Sequence, residues 1–188
     1  LDEFVYSKNG FNNITEYLTT VKDDITTIKI PWKMFGSNGY IKQPQSVIKN
    51  FTKRLLSNNN MLINCKCITR GNLINKIHLH QSIINCNYNA ITPDNNIDKS
   101  KHSFTQISED IINRSYLNMN HYPIQSKEWF MSVKSTRGDA LCKNFDFVRN
   151  EQYFIDYDHN DIDDKELSNL YMKKKRYINI DYCNNGKQ

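Results

Sequence analysis

The sequence predicts an α+β fold in a single domain, with about four helices and a mostly antiparallel sheet built from hairpins. Three observations lead there. Segments with helical spacing and segments with strand-like alternation both occur. They follow one another without the strand–helix–strand rhythm of a parallel sheet. The chain has 188 residues, 38% hydrophobic and 12% aromatic, which is enough to bury one core. A helical part is expected over about 1–60 and a β-rich part over about 61–188.

Ile14, Tyr17, Leu18, Val21, Ile25 and Ile28 recur at helical spacing, with Asn13 and Glu16 as a cap pair and Pro31 as the stop. A second helix is expected from Pro44, burying Val47, Ile48, Phe51 and Leu55. Residues 61–69 and 73–80 read as a β-hairpin about Gly71–Asn72, followed by a polar loop over about 85–100. Ser103 with Gln106 reads as a capping box for a helix through about Asn120. Strands are expected over 129–134, 142–148 and 153–158, then a helix over about 164–176 and a closing strand at "YINIDYC".

Asn (26), Ile (22) and Lys (19) make up over a third of the chain, which points to an AT-rich genome before it points to function. Three N-x-S/T sequons, at Asn13, Asn50 and Asn113, are what chance gives in so Asn-rich a chain, roughly three. Net charge is +5 and the isoelectric point about 8.8, which is compatible with a nucleic-acid partner. Mean hydropathy is −0.70, and no run of about 18 apolar residues is present, so no membrane span is expected. No leader pattern opens the chain. This fits a cytoplasmic protein, or a secreted one whose leader has been removed. Five cysteines leave one without a partner in any fully paired set; Cys183, near the C-terminus, is the best placed for a bond to another protein.

In a hairpin turning at Gly71–Asn72, Cys65 faces His78, Cys67 faces Lys76, and Ile63 faces His80. Alternation then gathers Cys65, Cys67, His78 and His80 on one face. Two thiolates and two imidazoles form a set that suits structural zinc, although C-x-C and H-x-H are not the usual spacings. The plain alternative is reduced cysteines in the core beside half-exposed histidines. A Cys65–Cys67 disulfide is not expected, because alternate strand residues are too far apart for a bridge.

The stretch "YFIDYDHNDIDDKEL" (153–167) concentrates carboxylates in an otherwise basic chain. With a turn at Asn150–Glu151, Asp156 and Asp158 share a strand face with Lys143. Two carboxylates there fit Mg²⁺ or Mn²⁺, with Lys143 assisting at a phosphate. A calcium loop is disfavoured, because the glycine at its sharp turn is missing and Glu166 falls one position early. Asp163 and Glu166 read instead as a helix cap, and "KKKR" (173–176) suits the negative end of that helix. By the bland reading, Asp156 and Asp158 are surface residues, one of them paired with Lys143.

Arg114 and His121 lie seven apart, and the Arg-x6-His spacing is similar to that of HEPN-type ribonucleases. The resemblance implies an acid–base role for His121 on a ribose phosphate. Lys173, Lys174, Lys175 and Arg176, followed by Tyr177, suit a nucleic-acid backbone and base stacking. The functional expectation is therefore a nucleic-acid-acting protein, most concretely a divalent-metal-dependent endonuclease-like domain favouring RNA. The alternatives are a viral or toxin-associated interaction module that binds a host or partner protein through an exposed apolar patch, and a metal-free ribonuclease using His, Glu and Arg.

Overall fold

The computed structural model describes residues 1–58, 61–100, 103–137 and 149–174. Helices and strands are mixed around a multi-stranded sheet, so the class is α+β. The helices are shorter than expected, and six are present among the described residues: α1 (Ile14–Leu18), α2 (Val47–Asn50), α3 (Glu109–Arg114), α4 (Lys127–Trp129), α5 (Glu151–Tyr157) and α6 (166–174). The chain forms two compact units interleaved in sequence, one from Leu1–Lys33 and Leu56–His121, the other from Met34–Leu55 and Tyr122–Gln188.

The first unit is built on a mixed sheet. Its strands are β1 (Glu3–Ser7), β2 (Thr27–Met34), β4 (Met61–Thr69), β7 (Ala90–Ile91), β8 (Ile97–Asp98), β9 (Phe104–Ile107) and β10 (Leu117–His121); β3 (Lys53–Arg54) belongs to the second unit. The order is β1-β10-β2-β4-β9; β7 runs parallel to β2 and carries β8. A separate arm pairs β5 (Ile74–Lys76) with β6 (Ile83–Ile84). Most ladders are antiparallel, but the principal ones join strands distant in sequence: β1 with β10, β2 with β4, β4 with β9.

The sheet has two unlike faces. On one, Ile28, Ile30, Leu117 and Met119 are buried with Tyr17 of α1, and Val5, Phe11, Ile68 and Tyr116 pack against them. Phe11, Tyr17 and Tyr116 make edge and stacked contacts with centroids 5.3–5.6 Å apart. The other face is polar although buried. It carries Lys29, Cys65 and Cys67 on β2 and β4, Tyr6 and Asn118 on β1 and β10, and Lys33, whose Nζ donates to Tyr6 Oη at 2.7 Å. A sheet covered by hydrocarbon on both sides needs no such groups, so this face is where chemistry is to be sought.

Several expected elements differ, each for a local reason. The helix at Ile14 has the expected Asn13 cap, with Oδ1 accepting from Glu16 N at 2.9 Å, but it ends at Leu18. There the Thr19 and Thr20 hydroxyls bond back to the Glu16 and Tyr17 carbonyls, which competes with continuation. Ile28 and Ile30 then follow strand periodicity through Pro31. The second helix is one turn, capped by Ser46. The helix expected over 103–120 is instead β9, α3 and β10; Ser108, not Ser103, is the cap, accepting from Ile111 N at 3.2 Å. Residues expected as a strand at 129–134 continue α4 as a wider π turn over Phe130–Lys134. The expected strand over 153–158 is α5: Asn150 is its cap rather than a turn residue, and Phe154 is buried against Ile124 and Phe130, with Tyr153 and Tyr157 alongside. The strands expected at 142–148 and after 176 lie outside the described residues.

Candidate functional site

The acidic stretch belongs to the second unit, where it clasps the 34–55 segment. Short strand β11 (Ile162–Asp163) pairs with β3, and Asp161 N donates to the Arg54 carbonyl at 3.1 Å. The Asp164 carboxylate takes Arg54 Nε at 2.6 Å, with both side chains under a tenth exposed. Thr52 Oγ1 and Lys165 Nζ donate to Asp163, each at 2.8 Å. These contacts hold the Asp163 carboxyl below the usual carboxylate range, the hydrogen bond from Lys165 contributing most. The expected cap is present in altered form: Asp164 Oδ1 accepts from Glu166 N at the start of α6.

Asp156 and Asp158 do not form a strand-end pair. Asp156 lies on the exposed side of α5 and accepts from Gln152 Nε2 at 2.8 Å, one turn back. Asp158 is the C-cap residue of α5, and its Oδ1 accepts from Ser37 N and Asn160 Nδ2, each at 2.7 Å. Two residues apart on a helix, the carboxylates diverge, whereas on a strand they would align. Lys143, their expected companion, lies outside the described residues. Among the described residues no group of three or more His, Cys, Asp or Glu side chains is placed to hold a metal ion.

The cysteine–histidine set is also rearranged. β4 forms where expected, but its partners are β2 and β9, not residues 73–80. A single 3-10 turn at Gly71–Leu73 directs the chain into the β5–β6 arm instead. Cys65 and Cys67 stay on one face. His78 is exposed on the arm, while His80 Nδ1 lies 3.2 Å from the Cys65 carbonyl and its ring meets Trp32 at 5.4 Å. Arg114 and His121 do not share a helix either: Arg114 ends α3, and His121 ends β10 with its ring 4.2 Å from Trp32. Lys173 and Lys174 are exposed on α6; Lys175, Arg176 and Cys183 fall outside the described residues.

The structure assembles a site that the sequence did not point to. Lys29 lies opposite Cys67 in the β2–β4 ladder, with its side chain fully buried. Its Nζ donates to Ser100 Oγ at 2.6 Å, to the Ser100 and Phe104 carbonyls at 3.1 Å, and to Asp98 Oδ2 at 3.3 Å. Burial alone would raise the Asp98 carboxyl. Hydrogen bonds from Thr105 and Ser100, with the Lys29 charge, outweigh it and hold the group below its ordinary range. Beside this pair Cys65 Sγ donates to the Ser103 carbonyl at 3.4 Å; the neighbouring Cys67 thiol and burial push the Cys65 thiol up, while Cys65 and the Lys29 charge pull Cys67 down.

Asp98 also lines a groove of about 460 Å³ with Asp94, Asn96, Lys99, Gln106 and Arg114. The two carboxylates lie below its surface, at 2% and 11% side-chain exposure, and are already engaged, Asp94 by Arg114 at 3.3 Å. What reaches solvent is Lys99 and the Arg114 guanidinium, the latter 62% exposed. Phe104 stands exposed on edge strand β9, on the same face as Gln106 and Leu62. Sequence reasoning singled out Arg114 but missed its neighbours, because the groove is made by the short β7–β8 turn that the sequence shows only as a polar loop.

No family model matches the chain, and no curated protein or solved structure matches it either. No helix among the described residues is long and apolar enough to cross a membrane.

Proposed function

We propose that the chain binds single-stranded nucleic acid, RNA in preference to DNA, along the groove of the first unit. The observation that carries this reading is the sorting of charge there. The carboxylates are sunk and paired, while Arg114 and Lys99 face solvent; Phe104, next in sequence to the lining residue Thr105, stands exposed on the same strand. Cations supply attraction to phosphates, an exposed ring on a sheet edge supplies a stacking platform, and Asn96 and Gln106 supply partners for a ribose 2′-hydroxyl. Divalent-metal cleavage by Asp156 and Asp158 has no comparable support, since the two side chains diverge and Asp158 is committed to Ser37 and Asn160. Anisotropy of labelled oligonucleotides tests the reading. Single-stranded RNA is expected to bind more tightly than duplex DNA, and Phe104→Ala to weaken it. Equal binding of both, or no effect at Phe104, would count against it.

A second reading, a module that docks on a partner protein, is favoured by the β5–β6 arm. Ile77, Leu79 and Ile83 lie within seven residues of one another there, and all are exposed. Pull-down with the arm residues Ile77 and Ile83 changed to Ser separates the two readings, because RNA binding at the groove does not involve them.

A further inference from the structure

We propose that Asn9–Gly10 is a modification site: spontaneous deamidation there converts the Asn9 amide to a carboxylate and unclasps the turn after α3, where Arg114 sits. The chemistry does not depend on nucleic-acid binding; only its effect through Arg114 rests on that reading. Asparagine is chemically labile, most of all before glycine, where no Cβ shields the next backbone nitrogen from the side-chain amide. Three such steps occur in the chain, at Asn9, Asn38 and Asn185, the last outside the described residues. The two described steps are held differently. At Asn38, Oδ1 accepts from Thr52 N at 3.1 Å and Lys53 N at 2.9 Å, and Nδ2 donates to the Asn50 carbonyl and Thr52 Oγ1. The nitrogen that would attack it, Gly39 N, itself donates to Ser37 Oγ at 3.0 Å. That side chain is locked.

Asn9 and Gly10 instead form an exposed turn with φ values of 52° and 99°. Asn9 Nδ2 donates to the Asn113 and Ser115 carbonyls at 2.8 and 2.9 Å, but among the described residues neither Asn9 Oδ1 nor Gly10 N has a hydrogen-bond partner. Local opening of the two Nδ2 bonds frees the side chain for ring closure. Gly10 N then attacks Asn9 Cγ and the Cγ–Nδ2 bond breaks. The amide leaves as ammonia with the proton from Gly10 N, and water opens the succinimide to aspartate or isoaspartate. The consequence follows from the clasp. Its two carbonyls belong to the residues on either side of Arg114, so losing the amide donor releases the end of α3. A carboxylate in its place repels those carbonyl oxygens and brings a negative charge that opposes a bound phosphate.

The test incubates the full chain over days at mildly alkaline pH, then maps its peptides by mass spectrometry. The amide-to-acid mass shift is expected at Asn9 at least about tenfold faster than at Asn38, with isoaspartate confirmed by enzymatic methylation. In fresh protein, Asn9→Asp stands in for the aged chain. It is expected to speed amide hydrogen exchange over residues 109–117 about tenfold and to weaken single-stranded RNA binding. A wild-type chain that binds no RNA refutes the binding function and not this site, which the mass and exchange data decide. The proposal is overturned if Asn9 is modified no faster than Asn38, or if Asn9→Asp leaves exchange over 109–117 unchanged.

Discussion

Replacing Asp98 by Ala tests the buried polar face directly. In the native chain Lys29 Nζ has four acceptors: the Asp98 carboxylate, the Ser100 hydroxyl, and the Ser100 and Phe104 carbonyls. The variant keeps three neutral acceptors and loses the Asp98 counter-charge of a fully buried ammonium. Breaking a buried pair from one side costs about 3–5 kcal/mol; the three surviving hydrogen bonds place this case near 3 kcal/mol. Lys29→Met leaves Asp98 slightly exposed and still bonded by Ser100 N, so about 1–2 kcal/mol is expected. The double variant Lys29→Met, Asp98→Ala leaves no unpaired charge and should cost about as little as Lys29→Met alone, a coupling of about 3 kcal/mol. Urea unfolding followed by tryptophan fluorescence measures all three. The sign with pH follows from the lowered Asp98 carboxyl: its contribution is present above the ordinary carboxylate value of about 4 and is lost as pH falls further. The gap between wild type and Asp98→Ala should therefore narrow below about pH 4. A cost under about 1 kcal/mol, or additive single variants, would refute the reasoning.

Two further outcomes concern the second unit. Asp158→Ala removes the acceptor of Ser37 N and Asn160 Nδ2 and should cost about 1–3 kcal/mol in chemical denaturation, equally with and without Mg²⁺ or Mn²⁺; a cost that appears only with the metal would restore a metal role. Gly36→Ala would put a Cβ 2.2 Å from the His159 carbonyl oxygen, and at least about 2 kcal/mol of destabilisation is expected, seen as a lower Tm; an unchanged Tm would show that the clasp yields there.

Local signals in the sequence were legible where they depended on neighbours in the chain. The Asn13 cap, the extent of β4 over Met61–Thr69 and the helix near 166–174 could be read from a few adjacent residues. Pairing was not legible. Gly71–Asn72 has the composition of a hairpin turn, yet β4 takes its partners from β2 and β9, 38 or more residues away at Lys29↔Cys67 and Asn64↔Phe104. Register set by such long-range burial leaves no mark at the turn. The carboxylates of 153–167 misled for a related reason. "YFIDYD" alternates like a strand, but Asn150 caps it and the Tyr153, Phe154 and Tyr157 rings pack as a helix face. On a helix, Asp156 and Asp158 part company. The Lys29 site was hidden because a buried lysine looks like any other in a Lys-rich chain; only the fold reveals its burial.

The salt dependence of RNA binding tests the central claim most directly. With a labelled single-stranded RNA, log K is expected to fall linearly with log salt, and Arg114→Ala to weaken binding and reduce the slope by about one. Arg114 is held by Asp94 alone among the described residues, and Asp94 keeps the Thr92 hydroxyl and the Asn96 amide as donors; circular dichroism checks that the variant is folded before the loss of the proposed phosphate contact is read. An Arg114→Ala chain with the wild-type affinity and slope would contradict the account.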